Sequence, residues 1–335
     1  MGPPTRNIRL GDGAEFDLIR RFLAAGPPVS RADVSVGPGD DAAVVLGTGI
    51  VVSADASVED VHFRRAWLSP EEIGYRAAAA ALSDLAAMAA RPIGILATLA
   101  LADADAELGP ALMAGARRAA DSVGAAVLGG DLTRSPGPIF LDVVVLGEAR
   151  EPVLRAGALP GDELWVTGEL GAAAAAVAAW RRGEEPAAGA REAFARPRPR
   201  VREARWLAGR GLPHAMLDLS DGLAGDLRHL AVASAVQVVL EPERVPVSAA
   251  ALEATRDREA ALRLALGGGE DYELVFAAAP GAVAPLAPAL EAELGVRLTR
   301  IGEAREGEGV VARAGDGTLR PLDIQGYRHF QDGET

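Results

Sequence analysis

The 335-residue chain contains no cysteine. That absence excludes disulfides, thiolate zinc sites, iron–sulfur ligation and a cysteine nucleophile, and it fits a reducing compartment. Lysine is missing too, since all 34 basic residues are arginine. There is then no Walker A lysine, no kinase-type strand lysine and no Schiff-base or pyridoxal chemistry. Any phosphoryl chemistry must run on metal ions, arginine and backbone N–H groups. Basic residues are also outnumbered, leaving a formal net charge of −13. Nucleic acid is not an expected partner, because phosphate contacts need a concentrated basic surface. Long hydrophobic runs are lacking. The most apolar stretch, Ala77 to Ala90, is too short to span a bilayer, so no membrane is expected. Met1 to Arg6 has no apolar core of a signal peptide, and the expected location is cytoplasmic.

Hydrophobic residues make up 49% of the chain, and its 39 glycines and 22 prolines are dispersed, as in a globular protein long enough for two domains. The recurring device is glycine followed by acid. In Gly37-Pro38-Gly39-Asp40-Asp41 a forced turn precedes two carboxylates and then an apolar run. Such a stretch can be an ordinary surface turn. It can equally let backbone N–H groups approach an anion while the carboxylates offer oxygen to a hard cation. Comparable acidic punctuation recurs at Gly129-Gly130-Asp131, Gly161-Asp162, Asp218-Leu219-Ser220-Asp221-Gly222 and Gly268-Gly269-Glu270-Asp271.

Phe16 to Ala25 reads as a short amphipathic helix stopped by Gly26-Pro27-Pro28. Ala42 to Leu46 and Ile50 to Ala54 read as a hairpin, with Asp55 where the strand gives way to a loop. Ser69, Pro70 and Glu72 predict a capped helix start. From Ala77 to Ala90 only Ser83 and Asp84 are polar, so this helix should be buried. Asp84 is its anomaly, because an unpaired buried carboxylate costs several kcal/mol or must be protonated. A metal resolves the conflict, and so does a helix cap or an arginine partner.

Strands are expected over Ile93 to Leu101, Ala125 to Leu128 and Ile139 to Leu146, with a helix over Ala104 to Val123. The pattern restarts near Glu151-Pro152, which divides the chain into domains 1–150 and 151–335. Strands at Leu164 to Thr167 and Ala215 to Leu217 follow, with helices from Gly171 to Trp180 and Leu223 to Ala233. Arg181 to Ala190 reads as a surface loop. Arg196-Pro197-Arg198-Pro199-Arg200 is stiff and cationic, either a solvated linker or a segment docking on acidic groups or nucleotide. Ser220 or Asp221 can cap the helix that follows. His214 and His229 read as surface or packing residues. The alternation indicates an α+β chain, or α/β in two domains, with functional groups at strand ends.

In order and over nearly the whole chain, these motifs resemble the thiamine-monophosphate kinases of the PurM-like ATP-binding superfamily. The matching stretches are Gly39 to Asp41, Asp55 with His62-Phe63, Leu82 to Met88, Gly129 to Asp131, Arg155 with Pro160 to Asp162, and Thr167 to Gly171. Arg196 to Arg200, Asp218 to Leu223, Gly268 to Leu274 and Gly326 to Phe330 complete the series. The resemblance implies a PurM-like N-terminal domain, with a mixed sheet and helices on one side, that binds ATP and metal and dimerises. It implies a PurM-like C-terminal α/β domain behind it. The implied reaction is ATP-dependent phosphorylation of thiamine monophosphate to thiamine diphosphate, with several Mg²⁺ ions, by a homodimer. The metal ligands it implies are Asp41, Ser53, Ala54, Asp55, Asp84, Asp131, Asp218 and Asp221. Nucleotide contacts are Gly130, Asp131, Arg155 and Ser220. Substrate contacts are His62, Glu270, Ile324 and Tyr327. Ala54, Asp60 and Leu132 depart from the family pattern, where Thr, Gly and Thr are usual.

A phosphate-monoester acceptor has its second pKa near 6, so it is largely deprotonated at neutral pH. No general base is then needed, and no catalytic residue of that kind is assigned. The rival readings are another PurM-like enzyme, such as an aminoimidazole ribonucleotide synthetase, and a non-catalytic nucleotide- or cation-binding regulator.

Overall fold

The computed structural model describes residues 6, 9, 34–36, 40–45, 49–324, 326 and 327. Gly37-Pro38-Gly39, the helix expected over Phe16 to Ala25 with its Gly-Pro-Pro stop, and the Arg328-His329-Phe330 tail lie outside these residues. The first sheet runs in the order β1 (Val34–Val36), β2 (Ala43–Val45), β3 (Ile50–Val58), β6 (Phe140–Glu148), β4 (Arg91–Leu101) and β5 (Ala126–Arg134). It is mixed, since β4 and β5 pair in parallel and the other neighbours antiparallel. The second sheet has the order β13 (Leu319–Pro321), β12 (Gly309–Arg313), β9 (Gln237–Leu240), β11 (Leu298–Arg305), β7 (Glu163–Thr167), β10 (Leu274–Ala278) and β8 (Pro213–Asp218).

Helix α1 (Pro70–Ala87) organises the interior. Ser69 Oγ accepts from the Glu72 N–H and Glu72 Oε2 accepts from the Ser69 N–H, closing the expected capping box. Its apolar surface is used on several sides: α1 packs on β3 and β6, on α2 (Gly109–Ser122), and on α5 (Val201–Ala208) and β8 from the second half. An all-apolar helix is stable in water only when surrounded in this way. Gly74 and Gly115 sit where α1 meets α2. A Cβ on Gly115 would lie 1.9 Å from the Glu71 carbonyl oxygen, and one on Gly74 1.8 Å from that of Leu112.

Further ties link the two halves. Arg191, on α4 (Ala188–Ala195), grips Glu72 through both nitrogens at 2.8 and 2.9 Å. This pairing holds the Glu72 carboxyl down at about 2. Trp67 stacks on Trp180, 5.0 Å between centroids, and both meet Phe194 edge-on.

Several expectations need correction. β3 does not stop at Asp55 but continues to Val58, paired throughout with β6. β5 runs through Gly129, Gly130 and Asp131 to Arg134 instead of ending at the glycines. A 3₁₀ turn, Asp103–Leu108, precedes α2, so the helix starts later than Ala104. The 181–190 loop is shorter than expected, because α4 begins at Ala188. Neither Ser220 nor Asp221 caps α6 (Leu223–Ser234); the N-cap is Gly222, at φ 100, with no side-chain cap. At that spot the chain passes so close to Gly267 and Gly268 that a Cβ would clash.

Candidate active site

Where the two sheets meet across α1, three carboxylates converge. Asp41 leads into β2, Asp84 projects from α1 and Asp218 ends β8; their oxygens lie within 4.8 Å of one another. Ser53 Oγ, on β3, is 2.5 Å from Asp84 Oδ2 and 3.1 Å from the Asp41 carbonyl oxygen. Asp55 shares the Ser53 face of β3 by the strand's two-residue period, and its charge acts on both Asp84 and Asp218. Asp84 therefore has no arginine among its strongest influences; its neighbours are carboxylates and a hydroxyl.

Burial, then Asp218, Asp55 and Asp41, hold the Asp84 carboxyl well above its ordinary range. Burial and Asp41 push Asp218 up to about 7. Without a cation such a group keeps protons at neutral pH. Asp41 Oδ2 is buried with no hydrogen-bond partner among the described residues. Clustered, desolvated carboxylate oxygens with one orphaned acceptor fit a hard divalent cation, which would replace the protons.

A second group adjoins the first. Asp221, Asp226 and His229 also bring ligand atoms within 4.8 Å. Asp226 is pushed well above its usual range by burial, Asp221 and Asp218. Burial, reinforced by Arg155, pushes His229 down to about 4, which leaves a neutral imidazole at pH 7. Sequence reading left His229 as packing and passed over Asp226. The legible signal was their i, i+3 spacing on one helix, which places both on one face of α6.

Arg155 stands between these groups. Its Nη2 is 2.5 Å from Asp41 Oδ1, and its backbone N–H donates to Asp40 at 3.2–3.3 Å. Burial opposes its charge, but Asp41, Asp40 and Asp226 more than restore it. Asp40 is pushed up to about 7 by burial and by Asp41.

The segment after Gly267 forms a further wall. Glu270 and Tyr272 hold φ values of 76° and 50°, a conformation that costs non-glycine residues energy. Two backbone bonds fix it, Glu270 N–H to Ser220 O and Tyr272 N–H to Leu219 O, both 2.8 Å. The Glu270 carboxylate pairs with Arg76 of α1 and accepts from Tyr272 Oη at 2.7 Å. Arg76, 4% exposed, also donates to the Phe194 carbonyl at 2.7 Å and lies 3.8 Å over the Phe194 ring. Behind this wall the buried carboxyl of Asp271 accepts from the Gly171 N–H at 2.9 and 3.0 Å, at the start of α3 (Ala172–Arg181). The tail passes close by. Tyr327 N–H donates to Asp221 O at 2.8 Å, and Arg228 holds the Leu322 and Ile324 carbonyls at 2.8 and 2.7 Å.

Of the residues singled out in sequence, the fold thus gathers Asp41, Ser53, Asp55, Asp84, Arg155, Asp218 and Asp221 at one junction. Ser220, Glu270, Ile324 and Tyr327 surround it. Ala54 is exposed and falls on the opposite strand face from Ser53. His62 lies between β3 and α1, where Nδ1 accepts from the Val58 N–H at 3.0 Å. Gly130 and Asp131 lie outside both ligand groups, on the exposed edge strand β5. Asp60 has φ 66°, a region that aspartate tolerates better than most residues.

Two family models match the chain: AIR synthase related protein, N-terminal domain, over residues 39–149, and its C-terminal domain over 160–315. The thiamine-monophosphate kinase of Mycobacterium tuberculosis is 42% identical over 285 residues, covering 81% of this chain and 82% of the relative. The structure of AaThiL complexed with AMPPCP and TMP superposes with a TM-score of 0.81 at 28% identity, covering 96% of this chain and 99% of that one. The thiamine-monophosphate kinase structure from Stenotrophomonas maltophilia has a TM-score of 0.74 at 35% identity, over 93% of this chain and 98% of that one.

Proposed function

The chain belongs to the thiamine-monophosphate kinase family, and from that premise we propose that its acidic junction transfers the γ-phosphoryl group of ATP directly to thiamine monophosphate, forming thiamine diphosphate. The observation that carries this reading is the convergence of Asp41, Asp84 and Asp218 beside Arg155. Asp41, Ser53, Asp55, Asp84 and Asp218 would hold Mg²⁺, as would Asp221 with Asp226 and His229. Bound Mg²⁺ supplies charge neutralisation between two polyanions, the main demand of phosphoryl transfer. The chain's own contribution is positional. Asp40 and Asp41 hold Arg155 at the junction as its fixed cation, and Arg76 with Tyr272 aligns Glu270 toward the substrate. The tail, bonded to Asp221 through Tyr327, covers that side. No side chain has to remove a proton, because the acceptor oxygen is already largely deprotonated. Gly130, Asp131, Ser220 and His62 remain contacts in this reading, within domains 1–150 and 151–335, in a cytoplasmic enzyme.

The test is ADP release that requires both thiamine monophosphate and Mg²⁺, compared with Asp55→Ala. Release independent of thiamine monophosphate, or full turnover in folded Asp55→Ala, would contradict the assignment.

Arg76→Met should raise the KM for thiamine monophosphate about tenfold with a smaller change in kcat, and Arg76→Lys should restore part of it. An unchanged KM would remove Arg76 from substrate alignment.

The homodimer belongs to the same reading. The β4–β5 edge exposes Ile93, Leu96, Leu128 and Leu132, the last at 70%, an apolar edge of the kind that proteins cover. Leu128→Arg/Leu132→Arg should run as a monomer in light scattering. If it keeps the wild-type mass, this edge is not the interface.

A further inference from the structure

Away from the carboxylates, a cleft of about 530 Å³ opens between Tyr75 on α1, the end of α2, the 198–203 segment and the end of α9 (Ala287–Leu294). None of the acidic groups at the junction lines it. Residues 196–202 carry arginine at every second position, and the fold treats these four differently. Arg196 pairs with Glu192 at 3.1 Å, and Arg200 clamps Glu273. Arg198 and Arg202, both exposed, have no carboxylate partner among the described residues. Arg297 faces the same cleft with only a loose 3.8 Å contact to Glu291. The buried Pro197 and Pro199 stiffen the segment that presents these cations.

In a chain of charge −13, carboxylates are plentiful, yet cations that could have been paired are left facing one concavity. Apolar surface from Tyr75, Val123 and Val296 lies beside them, and the volume is within the range of small-molecule sites. Guanidinium groups recognise phosphate oxygens through a planar fork of donors. Glu169 and Glu291, also in the lining, are acceptors suited to the amino groups of a nucleobase.

We propose that this cleft is a second, non-catalytic binding site for a nucleoside phosphate. Arg198, Arg202 and Arg297 hold the phosphate, and the Tyr75 side receives the base. The site adjoins Arg200, which clamps Glu273.

In EDTA the catalytic junction lacks the divalent cation that would join its carboxylates to a polyphosphate, whereas the arginine cleft needs none. Calorimetric titration of the full chain with ADP in EDTA should show one binding event, weakened by salt. Arg198→Gln/Arg202→Gln should bind about tenfold or more weakly, with an unchanged melting temperature and unchanged Mg²⁺-dependent turnover. Asp218→Asn should bind as the wild type does. Absence of ADP binding in EDTA, or equal binding by the double variant, overturns the site. Inorganic pyrophosphate binding as tightly as ADP overturns the nucleoside assignment.

Discussion

Asp218→Asn is expected to reduce kcat at least a hundredfold and, in the same protein without metal, to raise the melting temperature. Both effects follow from one carboxylate. Asp218 is 5% exposed, and burial with the neighbouring Asp41 moves it from 3.8 up to about 7. Between those values the folded state binds more protons than the unfolded chain, so the stability of the metal-free protein falls as pH rises through that window. Above about 7 the full penalty is present, about 4 kcal/mol at most for this group. Asparagine removes the charge, so the gain should be clear at pH 8 and nearly absent at pH 4. Saturating Mg²⁺ should reverse the order, since only the wild type retains the full ligand set. Calorimetry in EDTA and in Mg²⁺ at both pH values reads the difference. A lower melting temperature for Asp218→Asn in EDTA at pH 8, or retained turnover, would refute the account.

Gly115→Ala should lower stability by roughly 3 kcal/mol and the melting temperature by roughly 4 °C. The added methyl would lie 1.9 Å from the Glu71 carbonyl oxygen and 2.7 Å from the Tyr75 nitrogen. Both atoms are backbone, so no rotamer change relieves the clash and the helices must separate. Since α1 carries both Arg76 and Asp84, activity should fall with stability. Gly109→Ala is the control: its nearest contact is 3.6 Å away, at the Leu101 side chain, so little change is expected. Equal melting temperatures for the two variants would show that the crossing is not the constraint.

Much of the site could be read from local pattern. The Ser69–Glu72 box marked the start of α1, and Asp84 stood out because nothing apolar tolerates a lone carboxylate. The turn before β2 drew attention to Asp41, whereas Asp218 and Asp221 were assigned through the family resemblance. What escaped depends on partners far away in sequence. Arg200 and Glu273, 73 residues apart and both in the second half, pair only once that half has folded. Asp55 looked terminal because Asp-Ala-Ser resembles a turn, yet β6 pairs with it and carries the strand onward. Gly129 and Gly130 looked like a strand end, but pairing with β4 holds them extended. Gly222 displaced both expected caps because the 267–269 backbone leaves no room for a side chain.

One helix serves two hydrophobic interiors. A single buried cluster joins residues as distant as Val51, Ala78, Leu217 and Ile301, with α1 touching both sheets' neighbours. Residues of both halves close that cluster, so cutting the chain between β6 and β7 would uncover alanine-rich faces on both fragments. The junction that gathers the carboxylates is therefore also the seam on which cooperative folding depends.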